Sequence, residues 1–228
     1  MIARMGTGLV VVVLLALVAG AAGRSVGEPL HPSWPSVGFS APYTYTVTGK
    51  DGTNATTEGF MQYAFAAGSN GWAMRMKTAE VGVCAVYAGA LDMDPATADC
   101  TLLMLGSHAF PVPNAVFLMV DSHCCLINNT GNVANTWLDG FDYAGSQEWD
   151  GVPADVWTMQ ANQLNYYVMA ANATSIEDSI AVGIFQPFHM MEFHDFTVGP
   201  QPADAFSTPD MCTLRKCPGG IMSPFDRH

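Results

Sequence analysis

Residues 136–212 contain, in order, TWLDG (136–140), FDYAGSQEWDG (141–151), VPADVWTMQ (152–160), NQLNYYVMAA (162–171), SIAVGIFQPFHMMEFHDFTVG (179–199) and FSTPDMC (206–212). These are short runs rich in Trp, Tyr, Phe, Val and Met, bounded by Gly, Asp, Asn or Pro. That is the pattern of consecutive antiparallel strands joined by tight turns, with Asp150-Gly151 and Asn172-Ala173 as hairpin tips. A curved sheet of this kind has one apolar face, which either fills with side chains or holds something else.

The same reading extends upstream. Pro29, Pro32, Pro35 and Pro42 predict an extended entry arm, because proline fixes its own φ and biases the preceding residue away from helix. Tyr43, Tyr45 and Val47 alternate with Thr44, Thr46 and Thr48. Trp72, Met74 and Met76 share one face of a strand whose other face carries Ala73, Arg75 and Lys77, a half-buried pattern. Residues 114–120 form a continuous apolar run, the mark of a more central strand. Cys84 to Cys100 is read as a strand followed by a long loop, and helix is expected only around SIEDS (175–179) and 202–206. The fold class is therefore all-β: a single curved antiparallel sheet (a half-barrel) or two packed antiparallel sheets, with minor short helices and disulfide staples.

The first residues, MIARMGTG, precede ten apolar residues (9–18) and an Ala19-Gly20-Ala21 step. This reads as a signal peptide over 1–23, because the apolar run falls short of the roughly 20 residues of a membrane span. One β-rich domain over 24–228 remains, large enough to bury its own core. The leader carries Arg4 and no acid, so its removal takes the formal charge from −12 to −13. So acidic a chain argues against nucleic acid and anionic membrane as partners. The six cysteines (Cys84, Cys100, Cys124, Cys125, Cys212, Cys217) imply disulfides in an oxidising compartment. Fifteen connectivities are open to six cysteines. The reading adopted is Cys84–Cys100, with Cys124 and Cys125 reaching Cys212 and Cys217, because vicinal residues of a strand point to opposite faces. Sequons at Asn54, Asn128 and Asn172 lie in expected turns and point to N-glycosylation. Together these place the protein outside the cell or in the lumen of the secretory pathway, a vacuole or lysosome included.

No segment matches a known catalytic pattern. His189, Glu192, His194 and Asp195 resemble a metal cluster, but on a strand Glu192 and His194 face one way while His189 and Asp195 face the other, so at most two ligands converge. Glu148 and Asp150 flank Trp149 with a separation of about 6–7 Å, close to that of paired glycosidase acids, but no enclosing cleft is legible. Asp92, Asp94 and Asp99 are the strongest Ca²⁺ candidates by charge, and a weak extracellular Ca²⁺ site is the one cofactor entertained, although the EF-hand Gly and Glu are missing. The expectation is a protein that is not an enzyme.

In order along the chain stand Pro32-Ser33-Trp34-Pro35 with Phe39, Cys124 or Cys125, Trp137-Leu138-Asp139-Gly140, Tyr143-Ala144-Gly145, a turn near Gly151, Trp157, Phe193, Phe196, Val198-Gly199, Pro209 and Cys212. In this order the chain resembles a plant and protist family of secreted proteins, which is in turn similar to ependymins and ependymin-related proteins. It departs from that pattern in the Cys84–Cys100 insert, in the cysteine-bearing tail past Cys212, and in lacking a cysteine just before Trp157. The resemblance implies a lipoprotein-carrier-like half-barrel around an apolar pocket. It also implies lipid or other hydrophobic-ligand binding, glycosylation, Ca²⁺ sensitivity and a homodimer.

Methionine is unbranched and polarizable, so its abundance suits a surface that adapts to varied apolar guests. The residues expected to line such a pocket are Tyr45, Phe60, Trp72, Met74, Met76, Phe117, Met119, Trp157, Tyr166 and Phe185. The functional expectation is a secreted glycoprotein that binds a lipid or similar hydrophobic molecule. The alternative is a Ca²⁺-sensitive structural or adhesive glycoprotein whose sheet face is solid, with a carbohydrate-active enzyme third.

Overall fold

The computed structural model describes residues 29, 31–66, 69–107, 113–149, 151–160, 164–171, 181–186, 188–202, 204–212 and 214–218. The strands are β1 (Phe39–Thr48), β2 (Asn54–Ala66), β3 (Ser69–Met76), β4 (Cys100–Leu105), β5 (Val116–Val120), β6 (His123–Asn128), β7 (Asp142–Trp149), β8 (Val152–Gln160), β9 (Leu164–Ala170), β10 (Ala181–Gln186), β11 (His189–Phe193) and β12 (Thr197–Val198). They form one antiparallel sheet in the order β6-β5-β4-β3-β2-β1-β11-β10-β9-β8-β7, with β12 beside the start of β1. The sheet is built of two meanders, β1–β6 and β7–β11, joined where β1 pairs with β11.

The two outermost strands, β6 and β7, are consecutive in the chain. On a flat sheet they would lie about 48 Å apart, at roughly 4.8 Å per strand step. The connection between them, residues 129–141, spans at most about 45 Å when fully extended, and it spends residues 135–140 in turns. The sheet must therefore curl. Trp34 of the entry arm shows how far. Its ring lies 5.2 Å from that of Trp72 on β3, and its Nε1–H donates to the Tyr167 hydroxyl on β9 over 3.1 Å. Those two strands are five steps apart, a contour of about 24 Å.

The face inside the curl carries the main core. Tyr43, Met61, Tyr63, Trp72, Met74, Met76, Leu118, Trp157, Tyr167 and Met191 are all buried there. Gly59, opposite Tyr43 in the β1–β2 register, leaves room for the phenol: a Cβ would sit 2.4 Å from Tyr43 Cζ. Three pieces of chain cover this face: the entry arm with Trp34, the 129–141 connection with Leu138 and Phe141, and a helix, α1 (Gly82–Ala90). The helix occupies part of the Cys84–Cys100 span in place of the expected strand. Cys84, Tyr87 and Ala88 fall at i, i+3 and i+4 and form its buried face, a helical period. Of the two expected helices, the one at 202–206 shows a turn over its described residues 204–206, and 175–179 lies outside the described residues.

The outer face is covered only in part. Ala73, Leu103, Phe117, Met119 and Leu126 are buried on it beneath Phe206 and Cys212 of the C-terminal segment. This cover is why β5 is buried on both faces although it lies next to the edge, not in the middle of the sheet. Cys124 bonds Cys212 on this side, while its neighbour Cys125 bonds Cys217 on the inner side; Cys84 bonds Cys100. The tail also pairs with the exposed edge of β6, where Leu126 N–H donates to Arg215 O at 2.8 Å and Cys217 N–H to Leu126 O at 3.0 Å. Such a cap blunts an edge that would otherwise template another strand.

Two predictions follow from this packing. Trp34→Ala should cost about 3–5 kcal/mol by urea unfolding, the range for emptying a buried aromatic site. Trp34→Phe, which loses mainly the bond to Tyr167, should cost roughly 1–2 kcal/mol. The Cys124–Cys212 and Cys125–Cys217 loops, of separation 88 and 92, are nearly the same loop. Removing either by a serine pair should cost about 2 kcal/mol, and removing both about 6 kcal/mol, because the first survivor retains most of the loop constraint.

Candidate functional site

Aromatic edges and thioethers make up the contact between the cover and the floor beneath it. The Trp34 ring meets those of Phe39, Tyr63, Trp72 and Trp137 edge-on, with centroids 4.7–5.2 Å apart, a geometry set by the ring quadrupoles. Trp137 and Phe141 reach on to Tyr167, each at 6.4 Å. Met61, Met74, Met76, Met104, Met169 and Met191 are all buried in the same layer, so thioethers are spread along the inner face from β2–β4 to β9 and β11.

The cover is held differently from the sheet. Asn132 Nδ2 donates to Ala64 O and to Asn70 Oδ1, both at 2.9 Å, and Tyr63 Oη donates to Val133 O at 3.2 Å. Trp34 N–H donates to Asn135 O at 3.1 Å, coupling the arm to the connection. His31 sets its ring 4.9 Å from that of Trp157, with Nε2 3.2 Å from Phe141 O. These are a handful of individual hydrogen bonds, not a ladder.

Tyr43 Oη and Trp157 Nε1 beneath the cover, and Trp137 Nε1 in the cover itself, are buried with no hydrogen-bond partner among the described residues. A buried polar group left so costs about 1–3 kcal/mol. Burial pushes the Tyr43 phenol well above its ordinary range, and nearby Tyr45 adds to the effect; burial also raises Tyr63.

The residues expected to line a pocket fall into distinct places. Trp72, Met74, Met76 and Trp157 lie together on the inner face, with Tyr45 partly buried at its margin, where its hydroxyl is 2.7 Å from His189 Nδ1. Phe117 and Met119 lie on the outer face under the C-terminal segment. In β5, five apolar residues in a row give no alternation by which to assign faces. Phe60 and Tyr166 are on the outer face and exposed, at 41% and 38%, because each neighbours a residue buried inside: Met61 and Tyr167. The Phe185 backbone is in register with Tyr166 and Met190; its side chain lies outside those described. Sequence reading missed Trp34, Trp137, Tyr63 and Tyr43. Trp34 and Trp137 sit outside any strand, but each stands in a Pro- or Gly-bounded loop where an isolated indole is itself a signal.

The other candidate chemistries do not converge. His194 Nε2 contacts Thr44 Oγ1 at 3.1 Å on the outer side, and His189 turns to Tyr45. No group of three or more His, Cys, Asp or Glu side chains that could hold a metal occurs among the described residues. Glu148 is exposed on β7, and Asp150 is outside the described residues. Asn54 opens β2, exposed, and accepts from Thr48 Oγ1 at 2.8 Å. Asn128 closes β6 and accepts from Thr130; Asn172 lies outside the described residues.

No protein-family model and no curated protein matches the chain, so the ependymin resemblance is not shown. Among solved structures, the chain is similar to the LolA superfamily protein NE2245 from Nitrosomonas europaea, at 9% identity, covering 77% of this chain and 92% of that one, with a TM-score of 0.38. It is similar also to a putative outer membrane lipoprotein-sorting protein domain from Vibrio parahaemolyticus (8% identity, 75% and 90% covered, TM-score 0.35). A third is MucB in complex with MucA(peri) (10% identity, 78% and 55% covered, TM-score 0.30).

The buried phenols set an alkaline limit on stability. An unfolded tyrosine titrates near 10, while Tyr43 and Tyr63 are held neutral well above that. Above about pH 10 the folded state thus retains protons that the unfolded state loses. Stability is full below that pH and falls above it by about 1.4 kcal/mol per pH unit for each such tyrosine. Phenolate absorbance should show these two groups ionising only with unfolding, and Tyr43→Phe should flatten the alkaline fall.

Proposed function

We propose that the protein is a non-catalytic extracellular carrier that takes an apolar or amphiphilic molecule, such as a lipid, onto the inner face of its curled sheet when the arm and the 129–141 connection swing aside. The observation that carries this reading is the layer beneath the cover. It combines thioethers and aromatic rings, an adaptable apolar lining, with the buried Trp157 indole donor and the Tyr43 hydroxyl, which find no partner among the described residues. An oxygen-bearing head group would supply the acceptor that the Trp157 indole lacks. Displacing the cover breaks few hydrogen bonds and leaves the sheet ladder intact. Disulfides on either side of the sheet are in keeping with a compartment outside the cytosol.

One observation favours a second reading, that of a structural glycoprotein with a solid interior: Trp34 fills the middle of the inner face and is itself only 1% exposed. The two readings part in one experiment. Protein purified from its source without delipidation should release an amphiphile, seen by mass spectrometry of its organic extract at near-equal molar amounts. Trp34→Ala should take up a fluorescent fatty acid at least tenfold more tightly than the parent. An empty extract together with no uptake by Trp34→Ala would leave the structural reading.

A further inference from the structure

At the β7 margin, beyond the roof, the inner face turns polar. Among the described residues Asp155 is the one Asp, Glu, Lys or Arg side chain that is buried, at 4% exposure. It stands on β8 two residues before Trp157, and so on the same inner face. Its cross-strand neighbours are Met169 of β9, buried in the core, and Ser146 of β7, exposed on the edge strand. Ser146 Oγ donates to Asp155 Oδ1 at 2.5 Å. The Tyr143 hydroxyl lies 2.8 Å from Ser146 Oγ and donates to the same carboxylate oxygen over 3.2 Å, and its ring lies 5.3 Å from that of Trp157.

A bulge builds this arrangement. Residues 143 and 146 of a regular strand would face opposite ways. Here the register slips between Tyr143 and Gly145, and Gly145 has a φ of +117°, where a side chain would be strained. The slip turns Ser146 and Glu148 onto the face of Tyr143, and so brings a second carboxylate, exposed, to the margin. Re-aiming side chains is what bulges do at sheet edges.

Charge at this margin is one-sided. No Lys or Arg occurs between Lys77 and Arg215, so β7, β8 and β9 carry Asp142, Glu148 and Asp155 and no strong base. The arm and the 129–141 connection add His31, which lies against Trp157 and beside the carbonyl oxygens of Pro32 and Phe141, and the exposed Asp139. Hydroxyls satisfy the hydrogen bonding of a carboxylate but bring no charge, and a buried carboxylate is costly without opposite charge nearby. An anionic head group would be repelled by Glu148 and Asp155. A protonated amine supplies positive charge and N–H donors, and the Tyr143 and Trp157 rings beside it attract a cation. Trp157 Nε1, buried and without a partner among the described residues, stands about 7 Å farther along the strand. A nitrogen and a hydroxyl on adjacent carbons bridge such a gap.

Building on the carrier reading, we propose that Asp155, with Glu148, Tyr143 and Ser146, is the head-group site of the inner face, and that its guest is a single-chain amino alcohol. The ammonium sits at the β7 margin against Asp155, the hydroxyl oxygen accepts from the Trp157 N–H, and the chain runs beneath the roof among the thioethers.

The test uses the full disulfide-bonded chain and three probes of one chain length that differ in charge: 2-aminodecan-1-ol, decane-1,2-diol and 2-hydroxydecanoate. Each is titrated calorimetrically, at neutral pH and below its micelle concentration, into the parent and into Trp34→Ala. The amino alcohol is expected to bind at least tenfold more tightly than the diol, and the diol more tightly than the acid. Asp155→Asn keeps the side-chain shape and an acceptor for Ser146. It should bring the amino alcohol to within threefold of the diol and leave the diol unchanged. Ser146→Lys sets an ammonium beside Asp155 from an exposed edge position, so it tests the site even if Asp155→Asn fails to fold; it should abolish the same preference. Equal binding of amino alcohol and diol, or a preference that survives Asp155→Asn or Ser146→Lys, overturns the proposal and leaves the carrier reading in place. Uptake of none of the three probes by the parent or by Trp34→Ala overturns both.

Discussion

One indole holds the two ends of this structure together. Trp34 reaches from an irregular arm to Trp72 on β3 and Tyr167 on β9, strands that pair with different neighbours and belong to different meanders. Without a contact of this kind, a sheet of eleven strands in one path would be free to open toward the shape its twist alone prefers. With it, the two meanders face each other across a layer of aromatic rings. The connection from one sheet edge to the other fits only in that curled state. The arm and the connection are therefore joint conditions of the curvature, and the Trp34 N–H to Asn135 O bond makes them one unit.

The two faces of the sheet are chemically unlike. The inner face is apolar and roofed, and its polar atoms are few, deep and donor-rich. The outer face is apolar beneath the disulfide-anchored tail and in a patch of Ala154, Val156 and Val168 on β8 and β9, and across β1–β4 it carries the exposed Phe60 ring among charged side chains. Gly71 marks the border: a Cβ there would lie 2.4 Å from the Phe206 ring, so the tail can cross β3 only over a residue without a side chain. The tail thus supports the edge strands and, through Ala205 O, fixes Arg75 on β3.

Much of this was legible in the sequence because strands half-buried in water write their burial with a period of two. Trp72, Met74 and Met76 against Arg75 and Lys77 is such a line, and it gave the right inner face. The vicinal Cys124 and Cys125 were legible for the same reason, since opposite-facing sulfurs need separate partners. Where both faces are covered the period vanishes. VFLMV on β5 therefore does not tell Phe117 from Leu118, and β2 carries Phe60 beside Met61 with nothing local to say which turns in. The helix at 82–90 hides among small residues whose spacing of three and four is weak against a background of expected strands. Trp34 and Trp137 belong to no strand, so no periodicity could reveal that they close the site.

The central claim is that the roof over the inner face is a gate and not a fixed part of the core. Fluorine NMR of protein labelled with 5-fluorotryptophan reports it directly, since the chain has five tryptophans. On adding a medium-chain fatty acid below its micelle concentration, the account predicts that the Trp34 and Trp137 resonances shift and saturate together, while that of Trp149, on the outer side of the sheet, stays in place. Resonances of Trp34 and Trp137 unmoved at saturating fatty acid would show a sealed interior and contradict it.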